Sequence, residues 1–221
     1  HAGNGALLAE YAIEKRVFVP INVIPKSVIN AFISAEDKEF YNHFGLDVKA
    51  TLRALLTNLK NIGSGKRLIG ASTITQQVAK NFLLSNEVSF DRKIKEAILA
   101  FRIERALSKE RILELYLNQI YLGEGSYGIA SASLRYFDKS ISELNYSEAA
   151  LLAALPKAPS RYNPYKNIKL AKYRRDLVLK NLYENEYIDQ TLLDKFTNSQ
   201  IKLSKRKRIY LEDSRYYVED V

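Results

Sequence analysis

The sequence contains no cysteine, and histidine occurs only at positions 1 and 43. Without thiols the chain cannot form disulfide bonds or a zinc site with thiolate ligands. Two histidines are also too few for a zinc site built from several imidazoles. The composition therefore argues against disulfide bonds and against zinc sites built from thiolates or from several imidazoles.

Long hydrophobic runs are missing too, since no stretch approaches the roughly 18 to 20 apolar residues of a bilayer-spanning helix. What the chain has in excess is positive charge, with a net charge of +9. This excess indicates an anionic partner: nucleic acid, a phosphate-bearing substrate or an anionic membrane surface. The basic runs "YKNIKLAKYRRDLVLK" and "KLSKRKRIYL" are equally compatible with a solvated helix face and a basic tail. Sequence signatures of nucleic-acid-binding domains are missing.

Helical periodicity dominates the chain. "LDVKATLRALLTNLK" places Val48, Leu52, Leu55, Leu56 and Leu59 on one face, which predicts an amphipathic helix. Further helices are predicted from Pro25 along a stripe ending at Phe40, in "STITQQVAKNFLL", from Phe90 to Leu107, from Ser108 as N-cap to Tyr121, in "NYSEAALLAALP" up to Pro156, and as one long and one short helix between Lys166 and Phe196.

Strand signals are weak and lie near the two ends, in "KRVFVPINV" and "QIKLSKRKRIYL". The stretch "NIGSGKRLIG" has three glycines and two cations and is predicted to be a mobile loop. The sequence has no internal repeat. We therefore expect one mainly α-helical domain over residues 1–221.

The stretch "ISAEDKEFYNHFG" sets two adjacent acids, Glu36 and Asp37, at the end of a stripe formed by Ile29, Ile33 and Phe40. Partial burial would raise the pKa of the Glu36 carboxyl group and suit it to accept a proton near neutral pH. The neighbouring charge of Asp37 would raise that pKa further. Spacing alone favours the alternative, a frayed helix end with both acids in water.

Glu96 is a second candidate acid, because it follows Arg92 and Lys93 by one helical turn. It is either an acid held by cations in apolar surroundings or half of a surface ion pair worth about 0.2–0.5 kcal/mol. The shared face with Leu99 and Ile103 favours the first interpretation. Two carboxylates on separate helices, ringed by cations, suit sugar chemistry with an anionic leaving group.

Polar residues also cluster in "GASTITQQVAK". Helix capping accounts for Ser72, Thr73 and Gln76, with a capping box between Thr73 and Gln76. It does not account for Gln77 or Lys80.

Asn118 lies on a largely apolar helix in "KERILELYLNQIYLG", where Ile112, Tyr116 and Ile120 form one stripe. An asparagine in this setting is most often a core residue that bonds a neighbouring backbone group.

In their order along the chain, these stretches resemble the peptidoglycan glycosyltransferase domain (glycosyltransferase family 51) of class A penicillin-binding proteins. The resemblance is carried by five motifs at plausible spacing and covers nearly the whole chain: "EDKEFYNHFG", "GASTITQQVAKN", "RKIKE", "KERILELYLN" and "AALLAALPKAPSRYNP". It implies a mainly α fold, with a lysozyme-like larger lobe and a smaller, membrane-proximal jaw lobe.

The resemblance also implies a reaction and a location. The enzyme would polymerise lipid II into β-1,4-linked glycan by an inverting displacement at C1 of lipid-linked N-acetylmuramic acid, releasing undecaprenyl diphosphate. The domain would lie on the outer face of a bacterial cytoplasmic membrane. Since the family's transmembrane helix and transpeptidase domain are not in the sequence, we expect an excised glycosyltransferase domain.

Roles for individual residues follow from the same resemblance. Glu36 would be the general base, Asp37 its support, and Glu96 an acid on the donor side that either holds a divalent cation or steadies the departing diphosphate. The acceptor side would be shaped by Phe40 and His43. The donor and its diphosphate would be bound by Thr73, Gln77, Lys80, Arg92 and Lys93. The residues that bind substrate would be supported from behind by Ser72, Gln76 and Asn118.

The implied cofactor is a divalent cation, Mg²⁺ or Mn²⁺. The implied partners are lipid II, the growing lipid-linked strand, the membrane surface and an inhibitor of the moenomycin (phosphoglycolipid) type in the cleft, with no nucleic acid. Leu68, Ile69, Phe82 and Leu83 are candidates for contact with lipid, with a buried core role as an equal alternative for Phe82. The stretch "NIGSGKRLIG" is a candidate for a flap over the donor.

Two other functions compete with this one. A lysozyme-like enzyme or lytic transglycosylase shares the fold class and a catalytic glutamate but cleaves glycan, and the cations of "RKIKE" argue against it because cleavage has no diphosphate to neutralise. A basic, non-catalytic module that binds nucleic acid or anionic lipid is the other alternative.

Overall fold

A computed structural model describes residues 15–62, 70–83 and 90–204 of the chain. These residues are mainly α-helical, as the sequence predicts. The helices are α1 (Lys26–Glu36), α2 (Val48–Lys60), α3 (Ile74–Leu83), α4 (Phe90–Ala106), α5 (Lys109–Gln119), α6 (Ile129–Phe137), α7 (Tyr146–Ala154), α8 (Ile168–Glu184) and α9 (Gln190–Asn198), with 3₁₀ turns at Ile21–Val23 and Ile141–Glu143.

The core forms around α7, whose sequence is almost wholly alanine and leucine. A helix that is apolar on every side must be buried, and α7 is buried between α1 and α8. Helix α1 contributes Val28, Phe32 and Ile33 to this core, all without appreciable exposure. The prediction of a short, buried helix in "NYSEAALLAALP" is confirmed.

A second layer of packing brings together α3, α4 and α5. Helix α5 begins after Ser108, whose side chain accepts a hydrogen bond from the backbone N–H of Arg111. Thr73 and Gln76 form the predicted capping box of α3, since each side chain accepts from the backbone N–H of the other. Capping therefore sets where the helices of this layer begin.

Three details of the helix prediction are wrong. Helix α1 has Pro25 as its N-cap and ends at Glu36, so Phe40 lies beyond the helix and not on its stripe. Helix α5 ends at Gln119 rather than Tyr121. The third is an omission: α6 was not predicted, because its small residues and the preceding Gly128 give a weak helical pattern that packing overrides.

Strand structure in the described residues is confined to β1 (Lys15–Arg16) and β2 (Ser126–Tyr127), which pair in parallel. Only two residues of "KRVFVPINV" are therefore strand. Residues 201–204 of the other predicted strand are not strand, and its remainder lies outside the described residues. Residues 63–69, which form most of the predicted glycine loop and include Leu68 and Ile69, also lie outside the described residues. The side chains of Phe82 and Leu83 are not described either.

Helix α2 differs from the others because none of its residues is buried. Its apolar side chains Val48, Leu52, Leu55, Leu56 and Leu59 are 52–72% exposed. The predicted amphipathic helix is thus confirmed, and its apolar face meets solvent instead of the core. None of the helices in the described part of the chain has the length and apolarity to cross a membrane.

Candidate active site

A cleft of about 510 Å³ lies at the carboxyl end of α1. Its walls come from several parts of the chain: the end of α1 with Glu36, Asp37 and Lys38; the start and middle of α2 with Asp47, Arg53 and Thr57; the segment Gly70–Thr73; and the end of α8 with Asn181, Glu184 and Asn185. The adjacent acids that the sequence singled out therefore lie in the wall of this cleft.

Glu36 is the last residue of α1 and is partly buried. Burial raises the pKa of its carboxyl group, and the nearby Asp37 carboxylate adds a little to this. A hydrogen bond from Gln77 Nε2 to Glu36 Oε2 (2.8 Å) and the positive charges of Arg174 and Lys157 act in the opposite direction. The predicted rise in pKa from burial is confirmed.

Asp37 caps the end of α1 and is only 7% exposed, so the alternative of two acids in water is wrong. The backbone N–H of Ile74, in the first turn of α3, donates to Asp37 Oδ2 at 3.0 Å. His43 Nε2 lies 3.0 Å from both carboxylate oxygens. A helix N-terminus and an imidazole thus hold Asp37 in place.

The loop after Asp37 is fastened by a lysine that sequence reasoning missed. Lys109 Nζ donates to the backbone oxygen of His43 (2.6 Å) and to Glu104 Oε1 (2.8 Å), and it lies 4.6 Å from the centre of the Phe40 ring. Thr75 Oγ1 donates to the same Glu104 oxygen at 2.6 Å. Phe40 is fully buried, so both it and His43 are fixed rather than free to move into the cleft.

Gly45 ends this loop at a point where the chain passes close to α4. Its φ is +81°, and a Cβ atom there would lie 2.9 Å from the backbone oxygen of Ala100. Its own oxygen accepts a hydrogen bond from Thr73 Oγ1 at 2.6 Å. Only glycine suits both the backbone conformation and the close approach.

The segment that leads into α3 joins the two halves of the site. Gln77 reaches Glu36, while Ser72 Oγ accepts a hydrogen bond from Lys93 Nζ at 2.9 Å. The Thr73 hydroxyl is committed to capping and to Gly45, and Gln76 to capping. Lys80 is exposed near the end of α3. A role of these residues in binding the donor stays a prediction.

Glu96 lies on α4 and is 1% exposed, which makes the alternative of a surface ion pair wrong for this acid. Lys93 Nζ donates to its Oε1, while its Oε2 is buried without a hydrogen-bond partner in the part of the chain that the structure describes. Arg92, one helical turn before Glu96, is partly buried. The predicted grouping of a buried acid with a cation is thus observed for Lys93 and Glu96.

The unpartnered Oε2 of Glu96 bears on the predicted divalent cation. Mg²⁺ is commonly bound by one or two carboxylates together with substrate phosphates, and Glu96 fits that kind of site. Within the described residues no group of three or more histidine, aspartate or glutamate side chains forms a metal site made of protein alone.

Asn118 has the backbone role that the sequence favoured. Its side chain accepts from the N–H of Val19 (2.7 Å) and donates to the oxygens of Val19 and Glu114 (2.8 Å each). It therefore ties the segment before α1 to α5.

The basic run on α8 is not simply a solvated face. Arg175 is fully buried and donates to Ser147 Oγ and to the backbone oxygen of Ser199, while Arg174 is buried near Glu36. Lys169 and Lys180, in the same run, are exposed. Charge alone could not have shown which of these basic residues are buried in the folded protein and which are exposed.

Comparison with known proteins bears on this arrangement. A profile of the transglycosylase family matches residues 4–183, which is most of the chain. The chain belongs to the transglycosylase family. The family resemblance inferred from the five motifs is therefore confirmed.

Similar proteins of the family are penicillin-binding proteins. Over all 221 residues the chain is 51% identical to penicillin-binding protein 1A of Rickettsia felis, and over 217 residues, 98% of the chain, it is 46% identical to that of Aquifex aeolicus. It covers 28% and 29% of these relatives, so it spans somewhat more than a quarter of their length.

A solved structure agrees with the fold. The chain is similar to the crystal structure of penicillin-binding protein 1A from Haemophilus influenzae, with a TM-score of 0.58 and 26% identity over 98% of this chain and 22% of that one. The mainly α fold is thus shared with a penicillin-binding protein, whereas the predicted division into two lobes stays a prediction.

Proposed function

We propose that this protein is a peptidoglycan glycosyltransferase that polymerises lipid II into β-1,4-linked glycan strands. The observation that carries the proposal is the placement of Glu36 in the cleft wall, where burial raises the pKa of its carboxyl group. A general base must take up a proton near neutral pH, and a carboxylate does so efficiently only when its pKa is raised. Membership of the transglycosylase family supports the same function.

Glu36 would act on the acceptor. As the 4-hydroxyl oxygen of the acceptor N-acetylglucosamine attacks C1 of the lipid-linked N-acetylmuramic acid, Glu36 takes the hydroxyl proton. The bond from C1 to the diphosphate oxygen breaks, and its electron pair leaves with undecaprenyl diphosphate. The hydrogen bond from Gln77 to Oε2 leaves Oε1 to receive the proton.

Asp37 would keep the base in place without itself reacting. Its carboxylate is held by Ile74 N–H and His43, and it is the residue that follows Glu36 in the chain. Fixing Asp37 therefore limits the conformations available to the end of α1. Preorganisation of this kind contributes to catalysis by holding reacting groups in register.

The departing diphosphate would be neutralised on the α4 side of the site. Lys93, on α4, is about half exposed and bonded to Ser72 and Glu96, so its charge is held beside the segment that leads into α3. Arg92 and Lys80 are further cations for the same diphosphate. A divalent cation held by Glu96 Oε2 would add Lewis-acid neutralisation of the leaving group.

The lipid tail of the substrate requires that the protein meet a membrane. The exposed apolar face of α2 lies on the helix that also supplies Arg53 and Thr57 to the cleft. We therefore propose that α2 rests on the outer surface of the cytoplasmic membrane, with its apolar side chains in the lipid. The net charge of +9 favours association with anionic lipids and with diphosphate.

Two further parts of the proposal follow from the same chemistry. A phosphoglycolipid inhibitor of the moenomycin type, itself an anionic lipid-linked saccharide, is expected to bind in the cleft. The assignment of residues 1–221 to one glycosyltransferase domain also stays a prediction.

The test is polymerisation of lipid II in detergent with Mg²⁺ by wild type, Glu36→Gln and Glu96→Gln. We expect Glu36→Gln to lower the rate at least about 10²-fold, the usual size of a general-base contribution, and Glu96→Gln to lower it as well. Glu110→Gln, the same change at an exposed acid on α5, is the control and should keep the wild-type rate.

Two results would contradict the proposal. Full polymerisation by Glu36→Gln would show that this acid is not the base. Release of soluble fragments from purified peptidoglycan, with no extension of lipid II, would identify a lytic enzyme instead.

A further inference from the structure

Tyr116 is a fully buried side chain whose hydroxyl has no hydrogen-bond partner among the residues that the structure describes. Buried hydroxyl groups nearly always have a partner, because an unpaired one keeps the full cost of leaving water. Tyr136 provides the comparison: its ring is equally buried, but its hydroxyl donates to the backbone oxygen of Leu122 at 2.8 Å. The unpaired state of Tyr116 therefore calls for a functional reason.

The location of Tyr116 supplies one. Its ring packs edge-to-face on Phe32, with centroids 6.1 Å apart and an interplanar angle of 76°. Phe32 precedes Glu36 by four residues on α1, so the two side chains lie on the same helix face. Burial raises the pKa of the Tyr116 hydroxyl, and the negative charges of Glu36 and Asp37 raise it further, which places both acids within electrostatic reach.

Of these two acids, Glu36 is the one with acceptor capacity to spare. Asp37 already accepts from Ile74 N–H and contacts His43. Within the described ranges of the chain, Glu36 accepts only from Gln77, through Oε2. A carboxylate can accept several hydrogen bonds, so Glu36 has acceptor sites to spare within electrostatic reach of the Tyr116 hydroxyl.

We propose that Tyr116 is a positioning residue for the base, and that its hydroxyl donates a hydrogen bond to the Glu36 carboxylate when that side chain engages the acceptor sugar. The proposal rests on the proposed role of Glu36 as general base. The bond would fix the direction of the carboxylate and stabilise its ionised form until it takes the proton. The charged groups that also face Glu36 are Arg174, Lys157 and Asp37.

The test is Tyr116→Phe, which keeps the ring and removes only the hydroxyl. We expect kcat for lipid II polymerisation to fall about tenfold with little change in KM, as for the loss of one hydrogen bond to a charged group. Without this donor the pKa of ionising Glu36 is higher in the working complex, so the acid limb of the kcat profile should move up by about one pH unit.

Stability gives a readout that separates positioning from a structural role. Because the hydroxyl is unpaired in the free protein, Tyr116→Phe should raise Tm by about 2–4 °C. Ser126→Ala removes another buried hydroxyl that has no partner among the described residues and should raise Tm without moving the pH profile. Tyr136→Phe loses a formed hydrogen bond and should lower Tm, again with the wild-type pH profile.

Two outcomes would overturn the proposal. Wild-type kcat and pH profile in Tyr116→Phe would leave its hydroxyl with no part in the reaction. A fall in Tm with an unmoved pH profile would make Tyr116 a structural residue only. Failure of the underlying function shows separately, as polymerisation that survives in Glu36→Gln.

Discussion

At the scale of single residues, the site depends on side chains that are held rather than exposed. Asp37, Phe40 and His43 are each fixed by a neighbour, and Lys109 gathers the loop that carries them. Glu36 lines the cleft, and Gln77 donates a hydrogen bond to one of its carboxylate oxygens. The acid is thus oriented by its surroundings before substrate arrives.

Gly45 gives a prediction at this scale. Gly45→Ala should destabilise the protein by about 2–4 kcal/mol, since it adds a positive-φ penalty to a contact with backbone that cannot move away. Thermal unfolding would then begin roughly 5–15 °C lower.

Two other glycines distinguish the positive-φ penalty from the contact with backbone. Gly125→Ala meets nothing within 4 Å but has φ +70°, so it should show the conformational cost alone. Gly70→Ala has neither problem and should unfold like wild type. Equal Tm values for all three variants would disprove the steric argument.

At the scale of elements, periodicity and capping predicted most helices because those signals are local. Ser108, the Thr73–Gln76 pair and the apolar run of α7 each act within a few residues. Helix α6 was not predicted because its formation depends more on packing than on a local sequence pattern.

The residues of the candidate site likewise divide into those that local sequence marks and those that it does not. The acids and their cations could be found because they are close in sequence. The contact of Lys109 with His43 joins residues 66 apart, and the charge of Arg174 acts on Glu36 from α8. Nothing local in the sequence marks such pairs, since they exist only once the helices have packed.

Helix α2 gives a prediction at this scale. The double variant Leu55→Glu, Leu56→Glu should bind vesicles of anionic phospholipid at least about tenfold more weakly, because two half-exposed leucines no longer enter the lipid. Co-sedimentation with the vesicles measures this. Its Tm should stay unchanged, as neither side chain is buried.

The control for α2 is Tyr173→Glu, which places an acid at a 67% exposed position of α8. If it weakened binding as much as the double variant, the attraction would be due to net charge and not to the apolar face.

At the scale of the whole molecule, the raised pKa of Glu36 opposes stability. A carboxyl group whose pKa is higher in the folded than in the unfolded state makes the folded protein bind more protons between those two values. The free energy of unfolding then falls as pH rises through that range. The base is therefore kept at some cost to the fold, as is common for catalytic groups.

This predicts that Glu36→Gln is more stable than wild type at neutral pH. Below the ordinary glutamate pKa of 4.5, position 36 is uncharged in the wild type as well as in the variant, so the difference in Tm between the two proteins should shrink there. Thermal unfolding of both proteins from pH 4 to pH 8 measures it. A difference that is constant over that range, or that grows towards acid, would contradict the assignment of a raised pKa.

The packing of α1 against α7 and α8 has a consequence for how the protein is made. The bond from Asn181 Nδ2 to the backbone oxygen of Ser34 joins residues 147 apart. At about 5–20 residues per second, a ribosome needs roughly 7 to 30 s to add that length of chain. Throughout this interval α1, which carries Val28 and Phe32, lacks its complete packing against α8. The nascent chain thus carries its future base beside an uncovered apolar surface, where chaperones and proteases compete with folding.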